Sequence, residues 1–369
     1  MKILISLNSS WNLYNFRIDL IKKLIYLNHE IYITIPKDEY FQKIINLKLK
    51  IKVNQLNIDR KSFNIFKNLY LLFQYLKIYN KIKPDLVLLY TIKPNIIGSI
   101  ASFFLFKKIK IYNFITGLGT FIFENNLKKK MILSLYKLAF LNSNTTILQN
   151  IDDYNYFVNN KIIKASRCKI IPGSGVDTNF YKYNIKNKTN DSFNFLCVSR
   201  LIKQKGILEL VQAAKIVKKN YPNVNFTIIG SIDYGNLSSI DESEYELLKK
   251  YIKHKKFSES IINELINCDC FILPSFREGT SMSLLEAASI GRPIITTDVP
   301  GCNNIVSEGL NGYLCKSKDV KSLCDCIIKM LNTNLQDRLK MGHNSRKIVE
   351  NKFDKQIINE LIINEITRK

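Results

Sequence analysis

The sequence predicts an α/β protein built from two doubly wound, Rossmann-like domains in tandem. Short apolar segments that read as buried parallel strands alternate with amphipathic helical segments along the chain. The 369 residues suffice for two domains of ordinary size, and a hydrophobic fraction of 46% can fill two cores. A proline- and glycine-containing segment, residues 172–177, interrupts the alternation near the middle of the chain.

The first half is predicted to alternate strand and helix from its first residues. Residues 86–90 form an unbroken apolar run after Pro84, which is typical of a strand buried on both faces. An amphipathic helix is expected over residues 16–27. The other predicted strands are residues 2–7, 31–35, 109–115, 145–149 and 168–171, and the other predicted helices are residues 62–79, 94–106, 127–141 and 152–160.

A second series of the same kind follows the interruption. The polar segment 183–192 is the predicted linker, so we expect an N-terminal domain over residues 1–175 and a second domain over residues 176–353. The last helix, residues 354–369, could pack on either domain. Strands are predicted at residues 193–199, 224–230, 270–274 and 293–297, and helices at 206–220, 261–267 and 281–291.

The composition limits the possible partners and compartment. A net charge of +24 suits an anionic membrane surface, nucleic acid or anionic small molecules. No dedicated nucleic-acid motif is visible, so no specific nucleic-acid partner is expected. The first residues contain too few apolar positions for a secretory signal, and the longest apolar stretch is too short to span a bilayer. These features predict a cytoplasmic protein.

The eight cysteines lie between Cys168 and Cys326. Cys268 and Cys270, like Cys324 and Cys326, are separated by one residue, whereas common zinc-binding pairs have a gap of two. We therefore expect reduced thiols in the core and no metal site.

Two carboxylates provide the main functional signal. Glu278 follows the predicted strand 270–274, and Glu286 lies eight residues later on the predicted helix. At about 100° per residue, the two would be about 80° apart around a helix and could face one cleft. Carboxylates accept hydrogen bonds from sugar or ribose hydroxyls, and backbone amides at a helix start attract anions. An exposed helical glutamate is the plain alternative for Glu286, but its apolar neighbours require a partner for the carboxyl.

Two cations follow the first strand of the second half. Arg200 and Lys205 lie in a loop at a strand end, where they could neutralise a diphosphate that develops charge as it leaves. A solvated basic loop is the alternative interpretation. A third signal is a pair of glycines, Gly117 and Gly119, after the strand 109–115. Glycines there would let the backbone approach a ligand, although a structural turn is the commoner explanation.

The order Arg200, Lys205 and then E-x7-E resembles the donor site of retaining glycosyltransferases of family 4, and the resemblance covers nearly the whole chain. It implies the GT-B arrangement of two Rossmann-like domains facing across a cleft, with an acceptor-binding domain over residues 1–175 and a nucleotide-sugar donor-binding domain over residues 176–353. It also implies that Arg200 and Lys205 hold the donor diphosphate, Glu278 contacts the transferred sugar and Glu286 contacts the ribose. The implied backbone donors are Gly279, Thr280, Ser281 and Met282, and the loop of Gly117 and Gly119 would line the cleft.

The resemblance further implies a UDP-sugar donor and a lipid-linked saccharide or other glycan acceptor in the synthesis of a bacterial surface polysaccharide, capsule or O-antigen. The context of residues 91–95 and 117–119 is most similar to enzymes that add N-acetylgalactosamine to an undecaprenyl-diphosphate-linked sugar. No cofactor is expected, because the two cations can hold the diphosphate without a metal. A peripheral position on the inner face of the cell membrane is expected, since lysines adjoin aromatic residues in the segments 62–79, 103–110 and 128–136. Core-facing helices with solvated lysines are the alternative.

Two departures and two rival functions stay open. No histidine occurs between His29 and His254, whereas many family members have one near the sugar, and residues 253–258 are basic where the family has an apolar strand near the base. A nucleotide-sugar epimerase on the same architecture would need acid–base side chains, usually with histidine. A non-catalytic basic protein would bind a membrane or nucleic acid without needing Glu278.

Overall fold

The computed structural model describes residues 1–59, 62, 64–105, 107–118, 126–185, 192–236 and 238–368. The chain divides into two compact units. The first unit contains Met1–Ser174 together with Asn359–Lys369, and the second contains Gly175–Ile358. Each unit has its own parallel β-sheet with helices between the strands, which confirms the predicted fold class.

In the part of the chain that the structure describes, the first unit contains a seven-stranded sheet in the order β3-β2-β1-β4-β5-β6-β7. The order reverses between β1 and β4, as in a doubly wound sheet, where ligands bind beyond the carboxyl ends of the strands. Its strands are β1 (Lys2–Ser6), β2 (Glu30–Ile35), β3 (Ile51–Gln55), β4 (Leu86–Tyr90), β5 (Lys110–Ile115), β6 (Thr145–Leu148) and β7 (Cys168–Ile170). Its helices are α1 (Ser10–Phe16), α2 (Ile18–Tyr26), α3 (Phe41–Asn46), α4 (Ile65–Ile82), α5 (Ser99–Ala101), α6 (Asn126–Phe140) and α7 (Ile151–Asn159).

The predicted helix over residues 16–27 is two helices, α1 and α2. Helix α1 begins six residues earlier than expected because the Ser9 side chain accepts a hydrogen bond from the backbone N–H of Asn12 and caps it. Arg17 then interrupts the helical path. Its guanidinium is buried, lies 4.2 Å from the ring centre of Tyr90 and donates to Ser174 Oγ at 2.9 Å. Burial lowers the pKa of Arg17.

The predicted helix over residues 94–106 is irregular. It starts as a π-helical turn, Pro94–Gly98, continues as α5 and ends in a 3₁₀ turn, Ser102–Phe104. Gly98 packs directly against Leu89, and its carbonyl accepts a hydrogen bond from Tyr79 Oη at 3.0 Å. In a regular helix the carbonyl of Gly98 would accept from a backbone N–H later in the same helix. Here it accepts from the Tyr79 hydroxyl.

Within the described residues, the second unit contains a six-stranded parallel sheet in the order β10-β9-β8-β11-β12-β13. Its strands are β8 (Phe193–Val198), β9 (Val224–Ile229), β10 (Lys253–Lys255), β11 (Cys270–Leu273), β12 (Ile294–Thr297) and β13 (Gly312–Cys315). The helices of this half of the chain are α8 (Ile207–Asn220), α9 (Glu242–Tyr251), α10 (Ile261–Asn267), α11 (Met282–Ile290), α12 (Val320–Asn332), α13 (Leu335–Lys352) and α14 (Lys355–Thr367).

Helix α14 is shared by the two units. Near its start, Lys355 forms an ion pair with Asp177 at 2.6 Å in the second unit. From Asn359 onward it belongs to the first unit, where Glu360 pairs with Lys23 at 3.0 Å. The first unit therefore consists of the chain up to Ser174 and the C-terminal part of the last helix.

All eight cysteines are buried. Burial raises the pKa of several of these thiols, to about 11 for Cys197 and about 12 for Cys302. Among the described residues, no cluster of histidine, cysteine and carboxylate side chains has the arrangement of a metal site. No helix within the described ranges is both long and apolar enough to cross a bilayer.

Candidate active site

Three neighbouring strands of the second unit bring their following loops together at the carboxyl edge of the sheet. The loop after β8 contacts the loop after β11, because the N–H of Phe276 donates to the carbonyl of Gln204 at 2.8 Å. The loop after β11 in turn contacts the loop after β12, since the N–H of Glu278 donates to Pro300 O at 2.9 Å. Residues distant in sequence therefore share one site where open α/β sheets bind ligands.

At this junction, Lys205 and Glu278 form an ion pair between Nζ and Oε1. Both side chains are largely shielded from water, with exposures of 19% and 14%. A shielded pair interacts more strongly than a surface pair, and loss of one partner leaves a poorly hydrated charge. The structure thus places two of the predicted site residues in direct contact.

Two glycines allow the loops to approach this closely. Gly206, directly after Lys205, has a φ of +69°, and a Cβ there would overlap the carbonyl oxygen of Pro274 at the end of β11. Gly301 has a φ of +78°, and a Cβ there would overlap the carbonyl of Glu278. Any other residue would separate the loops or strain the backbone at both positions.

The N-terminus of α11 opens beside this pair. Ser281 is the N-cap residue, but its side chain makes no capping hydrogen bond. Thr280 Oγ1 is buried and lacks a hydrogen-bond partner among the described residues. The helix dipole and first-turn amides of α11 favour an anion at this end. The predicted donors Gly279, Thr280, Ser281 and Met282 occupy the loop and the first helical residue after Glu278. The N–H of Ser281 donates to the carbonyl of Gly301 at 3.1 Å, so this predicted donor is already used within the protein.

Arg200 lies in the same loop as Lys205 but has a different partner. Its guanidinium forms an ion pair with Asp233 at 2.6 Å and is 58% exposed. An exposed ion pair contributes little stability, so this arginine can exchange its partner for an incoming anion at small cost.

Glu286 faces a separate partner, Tyr181. The two side chains are hydrogen-bonded, and burial raises the pKa of Glu286 to about 7 and the pKa of Tyr181 as well. A carboxyl among apolar neighbours needs a hydrogen-bond partner, and for Glu286 this partner is the phenol of Tyr181. Glu278 lies in the loop before α11 and Glu286 on the helix, as predicted, so the angle of about 80° around a helix does not apply to this pair.

The glycine loop belongs to the first unit. Gly117 follows β5 and has a φ of +113°, a conformation that only glycine adopts readily. Gly119 lies outside the described residues.

The first three residues of the basic segment 253–258 form a strand. Residues Lys253–Lys255 are β10, the edge strand that pairs with β9. His254 is held on both sides: one ring nitrogen lies 2.9 Å from Tyr245 Oη and the other 2.8 Å from Gly230 O. The sheet therefore has a strand at the expected place despite its basic sequence.

Sequence reasoning missed three contributors to the site: Tyr181, Asp233 and Gly301. Tyr181 and Asp233 are distant in sequence from the residues they contact, and a single sequence has no signal for such pairs. Gly301 follows Pro300 in a turn after β12, and that dipeptide could have marked a close approach of the backbone.

Models of glycosyltransferase families match both halves of the chain. Residues 2–150 match the family model described as glycosyl transferase 4-like, and residues 181–348 match the model described as glycosyl transferases group 1. Among solved structures, Anabaena Alr3699/HepE in complex with UDP-glucose superposes with a TM-score of 0.77 at 19% identity, covering 100% of this chain and 99% of that one. The protein is a glycosyltransferase with the GT-B fold.

Similar sequences identify the family. The capsular polysaccharide biosynthesis glycosyltransferase CapM of Staphylococcus aureus is 31% identical over 314 residues, which cover 81% of this chain and 80% of CapM. The N,N'-diacetylbacillosaminyl-diphospho-undecaprenol alpha-1,3-N-acetylgalactosaminyltransferase of Campylobacter jejuni is 30% identical over 339 residues, or 87% of this chain and 86% of that protein. The chain belongs to glycosyltransferase family 4, as its motifs predicted. The epimerase and the non-catalytic basic protein are not favoured.

Proposed function

We propose that this enzyme transfers a hexose or N-acetylhexosamine, with retention of configuration, from a UDP-sugar to a lipid-linked saccharide. The observation that carries the proposal is the shielded Lys205–Glu278 pair beside the N-terminus of α11. The printed names of similar proteins support the substrates: HepE was solved with UDP-glucose, and the Campylobacter enzyme uses a diphospho-undecaprenol-linked acceptor.

In this proposal each residue of the second-unit site has one role. Lys205 and Arg200 neutralise the donor diphosphate, and the amides of Thr280 and Met282 at the start of α11 donate hydrogen bonds to it. Glu278 contacts the transferred sugar, and Glu286 accepts hydrogen bonds from the ribose hydroxyls. Gly117 and Gly119 of the first unit provide the loop that approaches the substrates.

The proposed reaction proceeds on one face of the sugar. The bond from the anomeric carbon to the diphosphate oxygen breaks, and the electron pair stays on the diphosphate, whose new charge Lys205 and Arg200 stabilise. The acceptor hydroxyl attacks from the side of the leaving group and passes its proton to a diphosphate oxygen. The two cations and the helix N-terminus supply the positive charge, so the proposal includes no metal.

We also propose that the enzyme acts at the inner face of the cell membrane. The outer faces of α4 and α6 carry exposed apolar side chains, among them Phe66, Phe73 and Leu127. Tyr75 and Tyr136, which the sequence grouped with these residues, are buried core residues instead. Phe63 and Phe106 lie outside the described residues.

A donor screen tests the proposed function. Calorimetric titration with UDP-, GDP- and ADP-sugars should show the tightest binding for a UDP-sugar, and NMR of the product should show the anomeric configuration of the donor retained. Tighter binding of a GDP- or ADP-sugar would contradict the nucleotide assignment, and an inverted product would contradict the mechanism.

The pKa of Glu286 predicts a pH-dependent affinity for the UDP-sugar. Ribose hydroxyls donate to a carboxylate, so the carboxyl with a pKa of about 7 must lose its proton before it can accept both. Affinity should fall up to about tenfold per pH unit below pH 7 and level off above it. Calorimetry with the UDP-sugar, whose diphosphate is esterified at both ends and keeps a constant charge, between about pH 5.5 and 8.5 should show this slope in the wild type and none in Glu286→Gln, whereas Glu264→Gln should keep it. An unchanged slope in Glu286→Gln would exclude this role.

A further inference from the structure

Tyr181 is attached to α11 at two points. Its side chain is hydrogen-bonded to the Glu286 carboxyl, and its backbone carbonyl accepts a hydrogen bond from Ser289 Oγ at 2.7 Å. Glu286 and Ser289 are three residues apart on α11, so their side chains share one face of the helix. The phenol therefore has a fixed position relative to the carboxyl.

Arg346 of α13 holds the same turn of the chain. Its Nη1 donates to the carbonyl of Tyr181 at 2.8 Å, to that of Thr178 at 3.1 Å and to that of Ser289 at 2.9 Å. Its Nε pairs with Glu350 at 2.7 Å, and the side chain is only 13% exposed. A guanidinium presents its donors in a rigid, planar geometry and can bind several acceptors at once. Arg346 thus joins the turn that ends at Tyr181 to the C-terminal end of α11.

The start of this turn is fixed by Asp177. Its carboxylate accepts hydrogen bonds from the N–H groups of Asn179 and Phe180, both at 3.0 Å, and from Lys355 Nζ at 2.6 Å. The N–H of Tyr181 donates to the carbonyl of Asp177 at 2.8 Å. The backbone of Tyr181 is consequently constrained through both its N–H and its carbonyl.

The hydrogen bond between Tyr181 and Glu286 affects the charge of the carboxyl. Burial raises the pKa of Glu286 to about 7, and the hydrogen bond from Tyr181 opposes this rise. Burial, together with the charge of Glu286, raises the pKa of Tyr181, so the phenol keeps its proton and can donate it in a hydrogen bond. One donated hydrogen bond leaves the carboxylate further lone pairs with which to accept from a ligand.

Charged groups on the surrounding elements are held in ion pairs. The helices α10 and α13 and the strands β11 and β12 pack against α11. His343 of α13 lies against the ring of Tyr183, with 5.9 Å between the ring centres. The ion pairs around α11 and Tyr181 are Asp177 with Lys355, Arg346 with Glu350, Glu264 with Lys255 and Glu278 with Lys205.

We propose that Tyr181 is a positioning residue for Glu286: its hydroxyl donates to one carboxylate oxygen and keeps the group ionised and oriented toward the ribose, while Arg346 and Ser289 hold Tyr181 in place. This inference rests on the proposed function, because it takes Glu286 as the contact to the ribose. A merely structural hydrogen bond would hold the turn against α11 but would not determine when the carboxylate can accept from a ligand.

Tyr181→Phe tests the proposal, because it removes the hydroxyl and keeps the ring. Without the donated hydrogen bond, the midpoint of the pH profile for UDP-sugar binding should rise by about one pH unit. Affinity should fall about fivefold at about pH 7 but stay within about twofold of the wild type at about pH 8.5. Calorimetry with the donor found in the screen measures this profile. Carboxyl NMR of the ligand-free protein, with Glu286→Gln to assign the signal, should show the same shift in the titration of Glu286.

Tyr313→Phe is the matched control. Tyr313 is buried, and its hydroxyl lies 3.0 Å from Thr333 Oγ1, so this variant also loses one phenol hydrogen bond in the second unit. Its midpoint should equal that of the wild type. An unshifted midpoint in Tyr181→Phe, or an equal shift in both variants, would overturn the proposal. If Glu286→Gln keeps the wild-type slope, the ribose contact itself is wrong, and the NMR titration still decides whether Tyr181 controls the carboxyl.

A double variant tests the part played by Arg346. Arg346→Lys keeps the charge but loses the planar fork, so it should raise the midpoint by up to about half a pH unit. Combined with Tyr181→Phe it should add nothing, because both changes act through one hydrogen bond. Ser289→Ala replaces Arg346→Lys in this comparison if thermal unfolding shows the lysine variant to be unstable. No shift in the single variant, or additive shifts in the double variant, would contradict a role through Tyr181.

Discussion

Lys205→Ala is expected to reduce the rate of sugar transfer at least about 100-fold, because it removes a cation that stabilises the leaving diphosphate. The variant should also bind UDP more weakly, since the same cation attracts the diphosphate of the ground state. Purified variant and wild type would be compared by steady-state kinetics with the donor found in the screen, and by UDP calorimetry.

The control for this prediction is Lys203→Ala. Lys203 lies two residues earlier on the same turn, but it forms a separate ion pair with Glu244 at 2.6 Å and is 44% exposed. Loss of such a surface pair should change transfer by no more than about threefold. Near-normal turnover in a folded Lys205→Ala variant, or an equal loss in both variants, would contradict the role of Lys205.

Glu278→Gln is expected to reduce transfer by a similar factor, at least about 100-fold, but with a different signature. The amide keeps the shape of the side chain and removes the charge that holds Lys205 and faces the sugar. Because Lys205 then remains available to the diphosphate, UDP affinity should stay within about threefold of the wild type or become tighter. The expected change is therefore in kcat, with little change in the Kd for UDP.

Glu264→Gln is the matched control for Glu278→Gln. Glu264 pairs with Lys255 at 2.6 Å and is also mostly shielded, with 24% exposure, but it has no role in the proposed site. Thermal unfolding should show that both variants fold. A Glu278→Gln variant that transfers sugar normally, or one whose defect is entirely a loss of UDP binding, would exclude the proposed contact with the transferred sugar.

The sequence predicted most strands because buried parallel strands are uninterrupted apolar runs. The strand β4 was predicted with its observed ends, and β8 and β12 within one residue. The strand β3 was missed because residues 51–55 mix apolar with polar side chains at a sheet edge. The elements β13, α12 and α13 were also missed. The break at Arg17 depends on contacts with Tyr90 and Ser174, which no local pattern contains.

The sequence predicted those parts of the site that follow from the order of strands, loops and helices along the chain. Strand ends place Lys205 and Glu278 at one sheet edge because β8 and β11 are neighbours, and the helix signal after Glu278 placed the N-terminus of α11 beside them. The pairing of Arg200 with Asp233 and of Glu286 with Tyr181 depends on loops that fold back from other parts of the chain. The strand β10 was not predicted because its sequence is basic. Its backbone pairing with β9 does not require apolar side chains.

A structure of the protein with bound UDP tests the central claim most directly. We predict diphosphate oxygens within about 3.2 Å of Lys205 Nζ and of the backbone amides at the N-terminus of α11, with Arg200 turned from Asp233 toward them. A diphosphate bound elsewhere, with Lys205 still held only by Glu278 and no contact to residues 279–282, would contradict the account.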